Sequence, residues 1–349
     1  MKAYNLLATI ALAVTLTACN DTEKNENLFS INAANLKGQY HNGESVPLSV
    51  ENPENKTIAS VDYFLNNKKI GSSNGNAVFN APLNGVKLGY QDIKAVVNYE
   101  GESSAATTRV EVVSSTKARV ITDYEIVNNY PHDITSYTQG LEFYRDTLIE
   151  GTGQYGKSKL RKVDYKTGKA YKEIDLEGKY FGEGITVFND KIYQLTWKEN
   201  TGFIYNAGNL KKEKDFAYFK PVQGWGLTHD DTHLYQSDGS EKIYKLDATT
   251  LKEADYINVY TESAKVKEIN ELEWINGKLY GNIYQTDAVA IIDPATGAVE
   301  AVIDFSALKN KVTQHPQLDV LNGIAYNPKT KTIFITGKNW DKIFEIRLK

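Results

Sequence analysis

The chain is 349 residues long, which at roughly 100–200 residues per domain predicts two or three domains. Hydrophobic residues make up 41% and charged residues 24%, with 25 Gly and 8 Pro, a globular composition that excludes a disordered or collagen-like chain. Lys and Arg number 40 against 44 Asp and Glu, net −4, so the surface as a whole has no pull on phosphate backbones and no nucleic acid partner is expected. Aromatic use is skewed to 23 Tyr and 12 Phe beside a single Met; Tyr and Phe favour strands, and an all-β protein is predicted.

Lys2 precedes an apolar run over 6–16, and Leu16-Thr17-Ala18-Cys19 follows: a positive start, a short apolar stretch and a small-residue cleavage site. The run of 11 is too short for a membrane span, which takes about 20. Cys19 is the single cysteine and has no partner for an internal disulfide. The Leu-x-Ala-Cys ending resembles the signal of bacterial lipoproteins, in which residues 1–18 are removed and the Cys becomes a lipidated first residue. That resemblance implies an exported protein held to a membrane by acyl chains. Asn20 after the Cys implies the outer membrane, or the periplasm-facing side, of a Gram-negative cell. Residues 19–27 are polar without a period and read as a tether.

Over 28–115, short alternating runs such as Val46-Pro47-Leu48-Ser49-Val50, 60–65, 77–79, 91–99 and 108–113 are broken by Asn-Gly, Gly-Ser and Asn-Asn turns, which predicts a small immunoglobulin-like β-sandwich. Its one histidine, His41, lies in a polar turn with no chemical partner near it in sequence, so the sandwich reads as a spacer or docking module.

Beyond it the sequence repeats. Gln139-Gly140-Leu141, Glu183-Gly184-Ile185, Trp225-Gly226-Leu227, Asn270-Glu271-Leu272 and Asn322-Gly323-Ile324 begin 44, 42, 45 and 52 residues apart. Each is followed at near-constant distance by a second apolar strand ending at Ile149, Tyr193, Tyr235, Tyr280 and Phe334. A third leads to an Asp turn, as at Asp164, Asp247 and Asp293, and a fourth closes the unit. Four short strands in about 46 residues predict a five-bladed β-propeller over 119–349. The last copy lacks a fourth strand and 121–127 has no copy of its own, so this N-terminal segment is expected to close the last blade and remove a free sheet edge.

Superposing the copies places equivalent positions in rings. One holds Gln139, Glu183, Trp225, Asn270 and Asn322; a second holds Gly153, Trp197, Gly239, Tyr284 and Lys338. One carboxylate, one ammonium, amides and aromatic rings at one channel mouth suit a small-molecule site, although polar channel linings also serve merely to hold water. Other motifs carry less. Gly151-Thr152-Gly153-Gln154-Tyr155-Gly156 matches G-x-G-x-x-G but runs into a strand-like segment where a dinucleotide site needs a helix. His229 and His233 would pair as metal ligands on a helix, but they read as strand-turn-strand. Gly-x-Ser-x-Gly is absent.

The segments 137–141, 181–186, 195–197, 224–227, 269–272, 321–325 and 336–338 resemble, in order, those of the plant and bacterial glutaminyl-peptide cyclotransferases, which are five-bladed propellers. The resemblance covers 119–349 and leaves the sandwich out. It implies an active site of Gln139, Glu183, Trp197, Trp225, Asn270 and Lys338, all members of the two rings. Phe181 and Asn322 stand beside them, and Tyr137 and Tyr284 replace a frequent Phe and Trp.

The implied reaction is attack of the α-amine of an N-terminal glutamine on its own side-chain amide, closing a lactam and expelling ammonia. It needs a proton shuttle, oxyanion stabilisation and a pocket that holds the reacting groups together, with no enzyme nucleophile, metal or cofactor. Glu183 is the natural shuttle. Gln139, Asn270 and Lys338 would orient the amide or meet the oxyanion, and the aromatic residues would wall the site. The expected partners are peptides or proteins beginning with Gln, and the expected state is a monomer. Two rivals remain: a non-catalytic propeller lipoprotein binding peptide or glycan at the same mouth, and a calcium-dependent propeller lactonase, which one carboxylate in two rings disfavours.

Overall fold

The computed structural model describes residues 28–349, so the predicted signal peptide, Cys19 and the tether lie outside the described residues. Those described are almost entirely strand and turn; the helical elements are a 3₁₀ turn at Ala33–Asn35 and one turn of α-helix at Ser306–Lys309. They form two compact units. One comprises the described residues up to Leu36 with Pro47–Ala81 and Asp92–Arg109; the other comprises Lys37–Val46, Pro82–Gln91 and Val110–Lys349.

In the first unit, Ile58–Leu65 pairs antiparallel with Lys68–Asn74 on one side and with Gly89–Tyr99 on the other. Strand side chains alternate between faces, and the alternation is legible: Val61, Tyr63 and Leu65 with Ile93, Ala95 and Val97 are buried, while their neighbours are not. Tyr63 stacks on Phe79 at 5.3 Å between ring centroids. Lys68–Asn74, in which Ile70 is the one large apolar residue, carries no alternation signal and is found only in the structure.

The second unit holds five sheets whose core strands follow the five sequence repeats. The first sheet runs Thr138–Tyr144, Thr147–Thr152, Lys159–Asp164, Lys169–Asp175, and the second Gly182–Phe188, Lys191–Thr196, Thr201–Asn206, Lys212–Ala217. The third runs Leu227–His229, His233–Ser237, Lys242–Asp247, Glu253–Asn258. The fourth has Ile269–Ile275, Lys278–Ile283, Ala288–Ile292 and Val299–Asp304; the fifth has Leu321–Asn327, Thr332–Gly337 and Lys342–Leu348. In the first two sheets the leading strand is buried and the last is exposed. Leading strands touch in a closed circuit, first on second, second on third, third on fourth, fourth on fifth and fifth on first.

The core is divided accordingly. Five apolar clusters fill five junctions between neighbouring sheets, for example Ile149, Leu160, Ile185 and Phe203 between the first and second, and Leu141, Leu148, Ala325 and Phe334 between the fifth and first.

The glycine that follows the marker residue has a steric reason. A Cβ on Gly184 would lie 2.5 Å from the Trp225 carbonyl oxygen, and one on Gly226 would lie 2.1 Å from that of Asn270. Only hydrogen at these positions lets adjacent leading strands meet, and the Gly184 N–H then donates to Trp225 O at 2.7 Å. The fourth sheet has Glu271 instead. Its carboxylate accepts N–H groups from Ile324 at 2.8 Å and Leu141 at 3.3 Å, bridging to the fifth and first sheets.

Closure differs from the expectation in its details. The expected strand over 121–127 is split. Arg119–Ile121 adds in parallel to Val299–Asp304 of the fourth sheet, and Tyr124–Pro131 pairs antiparallel with Lys342–Leu348 of the fifth. The chain turns at Thr122-Asp123, where Asp123 meets the Lys349 ammonium at 2.8 Å.

His132 follows the closing strand and is buried. Its Nε2 lies 2.9 Å from Glu150 Oε1 and its Nδ1 lies 2.8 Å from the Trp340 carbonyl, so both nitrogens face acceptors and both carry hydrogen. Burial alone would lower the imidazole pKa, but Glu150 and Trp340 hold it above the ordinary value. Burial would raise Glu150, yet His132, Arg161 and Thr138 hold it below the usual carboxylate range. The pair therefore stabilises the fold fully only between the two unfolded-state values, about 4.5 and 6.5. Its contribution is lost as pH rises through the folded His132 value or falls through that of Glu150. His132→Leu, which leaves the buried Glu150 with Arg161 at 3.8 Å as its remaining cation, is expected to cost about 3 kcal/mol, read by urea unfolding at pH 6. Thermal midpoints from pH 6 to 10 should decline in the wild type and decline less in the variant.

Candidate active site

The marker side chains converge. Gln139, Glu183, Asn270, Asn322 and Lys338 are all buried, at 1–4% exposure. Asn322 Nδ2 donates to the Thr138 carbonyl at 2.9 Å and to Gln139 Oε1 at 3.1 Å. With its oxygen occupied, the Gln139 amide presents its N–H₂ toward the Glu183 carboxyl and favours its charged form.

Burial pushes the Glu183 carboxyl well above the usual range, and Lys338 pulls it partly back. Burial likewise lowers the Lys338 ammonium, against the pull of Glu183 and Asp319. The ammonium lies 4.7 Å from the centre of the Tyr137 ring and 5.2 Å from that of Tyr284, so two aromatic faces replace part of its hydration.

The predicted aromatic residues form a connected wall. Phe181 contacts Tyr137 and Trp197 at 6.2 and 5.6 Å between centroids, and Trp225 meets Tyr284 edge-on at 5.7 Å. Gly153 and Gly239 complete the second ring by leaving room: a Cβ would lie 2.4 Å from the Phe181 ring at one and 2.5 Å from Trp225 at the other.

Three contributors escape the ring alignment. Gln223 Oε1 accepts both indole N–H groups, from Trp197 at 2.7 Å and Trp225 at 2.9 Å. It sits two residues before its marker, the register that Tyr137 and Phe181 occupy in the first two repeats, and this alignment is the signal that could have found it. Tyr155 extends the wall, 5.4 Å from Phe181. Asp319 stands near the Tyr137 hydroxyl and, after burial, helps hold it above the ordinary phenol range.

Further carboxylates line the channel on the same leading strands. Glu142 accepts from Thr186 Oγ1 and Val187 N at 2.7 and 3.0 Å, and Glu273 accepts from Tyr326 N at 2.7 Å. With Glu271 they cap inner-edge N–H groups that have no ladder partner. No group of three or more His, Cys, Asp or Glu among the described residues is arranged to hold a metal ion. His229 lies 3.5 Å from Glu142 while His233 turns to Asp230 and Thr232, so the two histidines do not converge. The glycine-rich 151–156 leads into the strand Lys159–Asp164.

Asn270 Oδ1 and Asn322 Oδ1 are buried without a hydrogen-bond partner within the protein, as are both amide atoms of Gln194. Gln223→Leu should release both indoles and lower kcat/KM toward the site's substrate by about tenfold through KM, a loss of two hydrogen bonds at ~0.5–1.5 kcal/mol each, with kcat little changed in steady-state kinetics.

Comparison with known proteins gives the family of the chain. Residues 95–348 match the family model of glutamine cyclotransferase. The chain is 40% identical over 232 residues to a glutaminyl-peptide cyclotransferase of Arabidopsis thaliana, covering 66% of this chain and 72% of that protein. The crystal structure of Myxococcus xanthus glutaminyl cyclase superposes with a TM-score of 0.61 at 34% identity, over 67% of this chain and 99% of the other. With the family model spanning well over half its length, the chain belongs to the glutamine cyclotransferase family.

Proposed function

We propose that this protein converts the N-terminal glutamine of peptides to pyroglutamate with release of ammonia, on a five-bladed propeller whose blades are the five sheets. The observation that carries the assignment of roles is Glu183: a buried carboxyl, oriented by Gln139, faced by Lys338 and set among aromatic rings.

The substrate's α-amine and side-chain amide carbon are already in one molecule, so the protein's task is to fold them together and move protons. Glu183 as carboxylate accepts a proton from the attacking nitrogen as the new C–N bond forms. It returns that proton to the departing –NH₂ as the old C–N bond breaks, so ammonia leaves neutral and the carboxylate is regenerated. A raised pKa suits both halves, since an ordinary carboxylate is too weak a base to take the proton efficiently near neutral pH. Lys338 stabilises the oxygen of the tetrahedral intermediate, a role in which a buried cation is worth far more than in water. Asn270 and Gln139 orient the glutamine's amide, and Asn322 holds Gln139 in place. Trp197, Trp225, Tyr284, Phe181 and Tyr137 exclude water.

Glu183→Gln is expected to lower kcat by about 10²–10⁴-fold, measured by ammonia release from glutaminamide and by loss of one ammonia in the mass of a Gln-initiated peptide. Excess chelator should leave the wild-type rate unchanged. No release above the uncatalysed background by wild type would overturn the reading in favour of a binding protein. Lys338→Gln removes the charge that pulls Glu183 down, so the acid limb of its kcat/KM profile should move to higher pH. Export and acylation at Cys19 are proposed from the signal sequence; Cys19→Ser should abolish incorporation of labelled palmitate and release the protein from the membrane fraction.

A further inference from the structure

The connection from the fourth sheet to the fifth is longer than the others, the fifth marker coming 52 residues after the fourth where the other spacings are 42 to 45. The extra chain forms the helical turn Ser306–Lys309 and a loop up to the leading strand Leu321–Asn327. This loop is fastened. Thr313 binds Asp341 through N–H and hydroxyl at 2.9 and 2.7 Å, His315 Nε2 donates to the Asn339 carbonyl at 2.8 Å, and Trp340 Nε1 donates to the Asp319 carbonyl at 3.1 Å. Insertions in a repeat array fall on loops, and these are often the binding face.

The loop forms one side of a cleft of about 1020 Å³, through His315, Gln317 and Asp319. Tyr137, Gly153 and Asp319 belong both to this cleft and to the ring-walled site or its immediate contacts. A glutamine whose reacting groups are buried beside Glu183 must pass the rest of its peptide outward, and an open cleft sharing residues with the site offers that path. It is at the upper limit of an ordinary small-molecule pocket, about 300–1,000 Å³, so it has room for more than one residue.

Its charges are unequal in availability. Lys159 is held by Glu173 and Asp175 at 2.8 and 2.7 Å, and Arg161 by Asp133 at 2.9 Å. Lys157 is exposed, where a charge pair counts for little. Asp319 is half-buried, accepts the Val320 N–H at 2.8 Å, shares the Lys338 ammonium with Glu183 and is not tied to a surface cation, and it stands where the cleft joins the site.

We propose that this cleft carries the peptide downstream of the N-terminal glutamine, and that Asp319 makes the enzyme favour a basic residue and disfavour an acidic one next to that glutamine. The proposal rests on the cyclase reading above. It is tested by kcat/KM for Gln-Lys-Ala, Gln-Ala-Ala and Gln-Glu-Ala amides beside glutaminamide, which does not reach the cleft. Wild type should rank them Lys over Ala over Glu, by about two- to fivefold per step at low salt and less at high salt. The alanine peptide should have a lower KM than glutaminamide. Asp319→Asn should flatten the ranking, read as a ratio within one variant so that any general loss of activity cancels. Gln317→Glu, which adds a carboxylate to the cleft beside Asp175 and Asp319, should steepen it. A ranking indifferent to charge in wild type, or one that survives unchanged in Asp319→Asn and Gln317→Glu, overturns the proposal while glutaminamide turnover leaves the cyclase reading standing. Failure of every substrate, glutaminamide included, overturns both.

Discussion

Everything in the second unit depends on how closely its leading strands approach. A carbonyl 2.1–2.5 Å from where a Cβ would stand leaves no tolerance at Gly184 or Gly226, and that closeness packs the marker side chains together from strands far apart in sequence. A wider ring would separate Glu183 from Gln139 and open the channel to water. The cost of the arrangement falls on the inner edges, whose N–H groups face no further strand. Glu142, Glu271 and Glu273 answer several of them, so these carboxylates are structural acceptors while Glu183 keeps its oxygens for other work.

The segment 136–139 shows how one strand serves two purposes. Ser136 and Thr138 turn to the buried Glu150, which also holds His132, whereas Tyr137 and Gln139 lie with Lys338, Asn322 and Glu183. Period-two alternation separates a rigid ionic network from the site it supports. Ser136 and Thr138, which bond to Glu150 of the buried pair, are thus one residue from Tyr137 and Gln139 in sequence and turned the other way.

Much of this was legible from the chain because a repeat converts sequence position into geometry. Once the markers were aligned, Gln139, Glu183, Asn270 and Asn322 had to share one level. The residues that escaped did so for physical reasons. Gln223 is exposed and polar, unremarkable until both indoles are seen to point at it. Asp319 lies in the one insertion, where no other repeat offers an equivalent. Glu271 stands at a position that is glycine in the other copies, and only the coordinates show its carboxylate spanning to two neighbouring sheets. The closing strand was predicted in the right place but as a single piece; Thr122-Asp123 turns the chain, and the open edge of Val299–Asp304 takes up the three residues before it.

The seam between Tyr124–Pro131 and Lys342–Leu348 joins segments more than 200 residues apart, so the ring cannot shut until nearly the whole chain is available. Non-local pairings of this kind form late and slowly. During synthesis the ring therefore stays open, and the marker side chains of the fifth and first sheets are held together only after Lys342–Leu348 has been made.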